Sequence, residues 1–348
     1  MKSHGSRKGD PAPRAALLQM VFGYMASQVI HVAARLGVAD HLQDGAKTSE
    51  ELATATGTHA PSLRRLLRAL TCVGVLVEAD PGLFALTPLG ASLRSEAPDS
   101  ARSLAMLFCD DSVWRSWGDL YHSVKTGETA FERIVGMGSF EYFARNPELS
   151  ATFNEAMAED TRNVAPGVVA GYDFSLFGTL VDVGGGSGTL IAAILKATPG
   201  LRGILFDTPA GIRAAPRNLN DSEIAYRCRV VAGDFFESVP GGGDAYILKS
   251  VIHDWNDERA ADILRNCRGA MPRHGRLLLV EPVLPARVES AEITGVVMSD
   301  LNMLVCAGGR ERTETEFREL FAATGFEVTG ITPTLGTTNY RVIEGTVA

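Results

Sequence analysis

The 348-residue sequence is short of cysteine, and its five cysteines, Cys72, Cys109, Cys228, Cys267 and Cys306, are all far apart. No Cys-x-x-Cys pair and no Cys/His spacing of a zinc site occurs, which argues against a cysteine-built structural metal and a disulfide framework. Each cysteine is expected to be a buried small hydrophobe, as in a reducing compartment. Positive charge is also scarce, with 33 Lys and Arg against 41 Asp and Glu and a net charge of −8. No global positive field draws such a chain to nucleic acid. No apolar run reaches the roughly 18 residues of a membrane span. The first fifteen residues are polar and lack the apolar stretch of a secretory signal, so residues 1–13 read as a disordered tail. A cytoplasmic protein with no membrane and no nucleic-acid partner is expected.

What is present, 45% hydrophobic and 21% charged residues, is the composition of a globular protein of about two domains. Residues 14–42 repeat apolar side chains at helical spacing, from Leu17 and Leu18 to Leu36. A helix so broadly apolar needs cover, for which a second subunit is one candidate. Thr48 and Glu51 form a capping box. A helix over Ser62 to Cys72 then carries Leu63, Leu66, Leu67 and Leu70 on one face and Arg64, Arg65 and Arg68 on the other. Strands over Val75–Glu78 and Leu83–Leu86, joined by Asp80-Pro81-Gly82, complete a winged-helix unit whose arginines sit where a DNA-reading helix would. Residues 99–172 are mostly helical. From Thr179 strands and helices alternate, which implies a parallel sheet covered on both faces. The last two apolar runs, Phe326–Ile331 and Tyr340–Ile343, have no room for a crossover helix and should pair as an antiparallel hairpin.

The strongest local signal is Leu180-Val181-Asp182-Val183-Gly184-Gly185-Gly186-Ser187-Gly188, a buried strand running through a glycine-rich turn into a helix. Such a turn admits a ligand close to the backbone and points unpaired N–H groups at an anion. The dinucleotide pattern G-x-G-x-x-G fails at its third glycine, where Thr189 stands, so NAD is the weaker reading. Asp207, about 20 positions beyond the glycines, lies where a ribose diol is bound in doubly wound folds. Asp234, in Gly233-Asp234-Phe235-Phe236, follows the third strand and could meet an adenine amino group while a ring packs on its face. Ligands in open α/β sheets bind outside the carboxyl ends of the strands, so His253 and Glu281 should converge with Asp207 and Asp234 on one crevice. A carboxylate beside a histidine fixes its tautomer and raises its basicity.

These segments, together with His253-Asp254-Trp255 and Gly308-Gly309-Arg310-Glu311-Arg312-Thr313, resemble in order the motifs of small-molecule O-methyltransferases that use S-adenosylmethionine, nearest to the bacterial antibiotic-biosynthesis branch. The resemblance covers nearly the whole chain. It implies an α/β fold of class I methyltransferase type, a doubly wound, mostly parallel sheet with a C-terminal antiparallel hairpin, and an N-terminal winged-helix dimerisation domain. The implied boundaries are 14–98 for dimerisation, 99–172 for the helical linker and acceptor pocket, and 173–348 for the catalytic domain. By the same resemblance Asp182, Gly184, Gly186 and Gly188 would surround the amino-acid end of S-adenosylmethionine, Asp207 its ribose, and Asp234 and Phe235 its adenine, with Lys249 alongside. His253 would be the general base flanked by Glu281 and Glu311. Asp254, Met157 and Met303 would meet the acceptor. Phe108, Cys109 and Trp114 depart from the plant pattern, which leaves the acceptor open.

The chemistry agrees. A phenol has a pKa near about 10, so a neutral histidine that takes its proton contributes typically ~10²–10⁴-fold to methyl transfer. No acidic cluster has a spacing diagnostic of Mg²⁺, so the reaction is expected to need no metal. The expected function is methylation of a phenolic hydroxyl on a small aromatic secondary metabolite, by a homodimer. The alternatives are a winged-helix ligand-sensing transcription regulator, against which the acidic wing Glu78-Ala79-Asp80 argues, and a S-adenosylmethionine-binding enzyme that methylates nitrogen or runs another reaction.

Overall fold

A computed structural model describes residues 12–336 and 339–348. The expected tail over 1–13 lies outside the described residues except for Ala12 and Pro13. The chain divides into two compact units, one up to Cys109 and one from Asp110 to Ala348.

The first unit opens with helices Pro13–Val21 and Gly23–Leu36, separated at Phe22 and ended by Gly37 in the left-handed region. A window within Pro13–Leu36 reaches a mean hydropathy of 1.3, apolar enough for a membrane crossing by length and composition. No uninterrupted apolar run of 18 residues occurs there, because Gln19, Gln28 and His31 break the segment without lowering its average far. The capping box forms, with Thr48 accepting from the Glu51 N–H and Glu51 accepting from the Thr48 N–H. Helix Ala60–Cys72 buries Leu63, Leu67 and Leu70 and leaves Arg64, Arg65 and Arg68 exposed. The wing has three strands where two are expected: β1 (Lys47–Thr48) adds to β3 (Leu83–Leu86), which pairs with β2 (Leu76–Asp80). Two residues were too few to show a period in the sequence. Cys267 is buried, but Cys72, at the end of the arginine-bearing helix, is exposed, and Cys109, Cys228 and Cys306 are only partly covered. The expectation of five buried cysteines is corrected accordingly.

The second unit is built on strands β4 (Thr179–Val183), β5 (Arg202–Asp207), β6 (Cys228–Ala232), β7 (Ala245–Lys249), β8 (Arg276–Leu284), β9 (Arg312–Thr313), β10 (Phe326–Pro333) and β11 (Tyr340–Val347). The order across the sheet is β10-β11-β8-β7-β4-β5-β6, with β9 added to the end of β8. β4 to β8 run parallel, while β11 is antiparallel to both β8 and β10. The expected hairpin therefore forms, and its second strand is the one inserted beside β8. Two apolar layers cover the sheet: one face packs Ile263, Leu264 and Phe321 against Val181 and Leu279, the other packs Ile191, Ile194 and Val168 against Leu205 and Val280. Strands buried on both faces explain the near-continuous apolar runs. The strand order reverses direction at β4, between β5 and β7, the switch point outside whose strand ends the crevice of an open α/β sheet binds its ligand.

Candidate active site

Two loops at that crevice are built on opposite principles. After β4 the chain turns through Gly184, Gly186 and Gly188 at φ +72°, +54° and +76°, values that side-chain-bearing residues rarely adopt. A Cβ at Gly184 would lie 2.8 Å from Val251 Cγ2 and 3.6 Å from Phe235, whereas one at Gly186 would meet nothing within 4 Å. The turn thus opens toward free space at Gly186 and is walled by Phe235 and Val251. Asp207, at the end of β5, accepts from the Gly186 N–H (2.8 Å) and the Thr208 N–H (2.6 Å). Burial raises its pKa, partly offset by those donors. Asp182 beneath the turn is 1% exposed, and its Oδ2 has no hydrogen-bond partner. Burial first, then the nearby Asp207 charge, push the Asp182 carboxyl up to about 7. Asp234 is exposed beyond β6, where its Oδ1 accepts from the Phe236 N–H.

The second loop, after β7, collects buried charge. His253 sits in a 3-10 turn, Ile252–Asp254. Its Nδ1 is 2.9 Å from Glu311 Oε1 and 3.7 Å from Glu281 Oε2, while Nε2 lies 3.7 Å from Asp254 Oδ1. Glu281 lies inside β8, which continues to Leu284 through its parallel bridge to β9. Glu281 Oε1 accepts from the N–H groups of Val251 and Ile252. Glu311 Oε1 also accepts from Ser299 Oγ at 2.6 Å. Burial alone would lower the His253 pKa; the facing carboxylates of Glu281, Asp254 and Glu311 outweigh it and push it up to about 10. Burial likewise raises Glu281 to about 7 and Asp254 to about 6, although the His253 charge works against both shifts.

This turn is held by backbone contacts that its own sequence does not announce. Arg312, 1% exposed, donates to the carbonyls of Ile252 (3.0 Å) and Trp255 (2.9 Å) and to Asp257 Oδ1. The Arg310 N–H donates to the His253 carbonyl at 2.8 Å. A Cβ at Gly309 would collide with that carbonyl. The segment Gly309 to Arg312 is therefore a clamp on the carbonyls of the histidine turn, which makes Arg312 a positioning residue. Lys249, 6% exposed at its side chain, is 2.5 Å from Asp160 and donates to Ser250 Oγ; Tyr340 completes the cluster. Ser250 is the one non-glycine at positive φ (+52°) among the described residues. None of Asp160, Ser250, Ser299, Arg312 or Tyr340 was given a role from sequence. Only Arg312 carried a signal, its place in the Gly308–Thr313 motif.

Aromatic side chains line the approach. Phe140 stacks on Trp255 with centroids 5.2 Å apart and an interplanar angle of 21°, and Phe153 meets Phe140 edge-on. Met157 is half-buried on the 25-residue helix Pro147–Gly171 that carries Phe153. Met303, 8% exposed, begins a π-helical turn, Met303–Ala307, packed against the histidine turn and helix Ser139–Arg145. Chemically, the crevice pairs a backbone cradle for a ligand with polar ends and a strongly basic imidazole whose Nδ1 is already engaged. Such a ring can take a proton at Nε2.

The O-methyltransferase domain family matches residues 117–327, and the O-methyltransferase dimerisation domain family matches residues 18–96. Phenazine O-methyltransferase PhzM of Lysobacter antibioticus is 48% identical over 95% of this chain and 96% of its own length. O-demethylpuromycin-O-methyltransferase of Streptomyces alboniger is 43% identical over 96% of this chain and 91% of its own. A solved O-methyltransferase from neocarzinostatin biosynthesis, in complex with S-adenosylmethionine and 2-hydroxy-5-methyl naphthoic acid, superimposes with a TM-score of 0.78 at 35% identity, over 93% of this chain and 96% of that one.

Proposed function

The chain belongs to the O-methyltransferase family and uses S-adenosylmethionine, and from that premise we propose that it methylates a phenolic hydroxyl of a small aromatic secondary metabolite, an aromatic polyketide or another antibiotic precursor, with His253 as general base. The observation that carries this reading is the His253 ring: Nδ1 is engaged by Glu311 while Nε2 is left for an incoming proton. Two similar relatives are named for methyl transfer to a phenazine and to O-demethylpuromycin.

The glycine turn fits the cofactor, because positive-φ glycines, open space at Gly186 and the Asp207 carboxylate form a cradle with a negative end. Asp182, Gly184, Gly186 and Gly188 would hold the amino-acid end, Asp207 the ribose, Asp234 and Phe235 the adenine, and Lys249 would lie alongside. When bound, the cofactor supplies an electrophilic sulfonium methyl. His253 Nε2 takes the hydroxyl proton as the acceptor oxygen attacks, and Glu281 and Glu311 stabilise the imidazolium that forms. Asp254, Met157 and Met303 orient the acceptor, and the stacked Phe140–Trp255 pair keeps water from it; alignment of this kind supplies much of the remaining rate.

The boundaries 14–98, 99–172 and 173–348 are proposed for dimerisation, acceptor binding and catalysis. A homodimer would cover Leu17, Met20 and Tyr24, which are 62%, 77% and 52% exposed; a cytoplasmic setting suits such an enzyme. Calorimetric titration with S-adenosylmethionine, S-adenosylhomocysteine and NAD⁺ tests the cofactor assignment, and a screen of phenols and arylamines with labelled methyl donor tests the acceptor. Binding of the first two and transfer to a phenol are expected; transfer to arylamines alone would overturn the phenol. Sedimentation as a concentration-independent monomer would overturn the dimer.

A further inference from the structure

Two buried oxygens beside His253 accept no hydrogen bond, although one of them, Glu281 Oε2, lies 3.7 Å from His253 Nδ1. Glu281 is 0% and Glu311 1% exposed, yet Glu281 Oε2 and Glu311 Oε2 accept no hydrogen bond. A buried oxygen without a hydrogen-bond donor is costly even beside a counter-charge such as the His253 ring. Each carboxylate is nonetheless held in place by donors at its other oxygen: two backbone N–H groups on Glu281 Oε1, and Ser299 on Glu311 Oε1. One ligand atom each from His253, Glu281 and Glu311 lies within 4.8 Å of the other two. The Nδ1 to carboxylate separations are 2.9 Å to Glu311 and 3.7 Å to Glu281. Two ligands on one ion at ~2.1 Å stand about 3.0–3.4 Å apart, so small side-chain rotations bring the three onto a single ion. A cavity of about 430 Å³, lined by Asp300, Leu304, Arg310, Glu311 and Glu316 among others, borders this cluster.

We propose that His253 Nδ1, Glu281 and Glu311 form an inhibitory binding site for a divalent first-row transition ion such as Zn²⁺. One nitrogen and two carboxylates suit such an ion better than Mg²⁺ or Ca²⁺, which take oxygen donors. The two carboxylate charges are neutralised by the ion, and the donors on Glu281 and Ser299 on Glu311 act as the outer shell that aims the ligands. The consequence for catalysis follows from the imidazole. A neutral ring that coordinates through Nδ1 carries its single proton on Nε2. The imidazolium held among the carboxylates gives up its Nδ1 proton to solvent as the ion binds, Nε2 keeps its own, and the metal-bound ring can no longer accept one. The inhibition rests on the general-base reading above; the binding does not.

Cobalt(II) serves as the optical probe. Titrated into the whole protein freed of metal with a chelator, it should give visible d–d bands that saturate at one equivalent, show no thiolate charge-transfer band, and disappear on adding Zn²⁺. X-ray absorption of the zinc form should show one imidazole nitrogen and two carboxylate ligands, a readout that needs no variant. His253→Ala should weaken cobalt binding by more than about 100-fold, beyond what an outer-shell change costs, and Glu311→Gln provides a second variant that keeps the shape. Absence of the bands at millimolar cobalt, or equal binding by folded His253→Ala, overturns the site. Saturated binding with undiminished methyl transfer to the accepted phenol would leave the site standing but overturn its inhibitory role, and with it Nε2 as the base.

Discussion

The turn after β4 and the turn after β7 stand at the same edge of one sheet and reach function in opposite ways. At Gly184–Gly188 side chains are subtracted: φ values of +54° to +76° and the missing Cβ atoms bring backbone to the surface of the crevice. At His253 side chains are piled up, with three carboxylates around one imidazole and an arginine buried behind them. The first arrangement costs conformational freedom and the second costs desolvation. A cofactor site tolerates the first because it has only to bind. A proton-transfer site needs the second, because a histidine among carboxylates holds its proton more strongly than one in water.

The largest expected effect comes from exchanging damage between the two turns. His253→Ala should lower kcat by ~10²–10⁴-fold and leave S-adenosylmethionine affinity unchanged. Gly184→Ala should do the reverse. Left-handed backbone with a Cβ costs about 1–2 kcal/mol, and the 2.8 Å approach to Val251 must be relieved by shifting the turn. Cofactor affinity should fall by roughly tenfold, the equivalent of about 1.4 kcal/mol. Steady-state kinetics and calorimetry on both variants decide the matter. If His253→Ala retained activity within about threefold on an unactivated phenol, the general-base role would fail. If it lost cofactor binding instead, the two turns would not be separable.

A subtler test uses pH. The ring must be neutral at Nε2 to take a proton, so kcat/KM should climb with pH toward the raised His253 pKa of about 10. Glu281 contributes to that rise. Glu281→Gln keeps an oxygen for the Val251 and Ile252 N–H groups but removes the charge. The imidazolium then loses a stabilising partner, its pKa falls, and the climbing limb of the profile should move to lower pH. A limb that stays in place would mean that Glu281 acts only as a backbone acceptor, and that another group sets the profile.

The same contrast explains what could be read from sequence. The glycine turn was legible residue by residue because its chemistry is local: strand, glycines and helix follow one another within about a dozen positions, and β4 and helix Thr189–Ala197 fall where expected. The histidine cluster was legible only as a set of strand-end positions and by resemblance. Its supports are joined across 55 to 60 residues in the Arg312 contacts and 89 to 180 in the Lys249–Asp160–Tyr340 cluster, and no window of sequence contains such pairings. The π-helical turn at Met303–Ala307 was equally hidden, since its apolar residues read the same way in an ordinary helix. Pro166 inside the helix Pro147–Gly171 is a signal that argues against a helix of that length, and packing of Val164, Ala165 and Val168 on the sheet overrode it.

The smallest expected effect compares one local device in two settings. Thr48 with Glu51 and Thr313 with Glu316 form the same capping box, the first ahead of helix Ser49–Thr56 and the second ahead of helix Glu314–Ala323. Hydrogen bonds from Thr48 hold the fully exposed Glu51 carboxyl below its usual range. At Glu316, burial works against the bonds from Thr313 and the pairing with Arg310, which prevail. Losing the threonine hydroxyl should cost each helix about 1 kcal/mol, a fall of roughly 4–8 °C in Tm for the smaller first unit and roughly 2–4 °C for the second. Thr48→Ala should show that and nothing more. Thr313 follows the clamping Arg312 directly, and its capping partner Glu316 also pairs with Arg310, whose N–H holds the His253 carbonyl. Thr313→Ala should therefore add a several-fold loss of kcat to its own fall in Tm, with cofactor affinity intact. Equal activities in the two variants would mean that the clamp is rigid without its helix cap, and that the precision of the histidine turn comes from Arg312 and Gly309 alone.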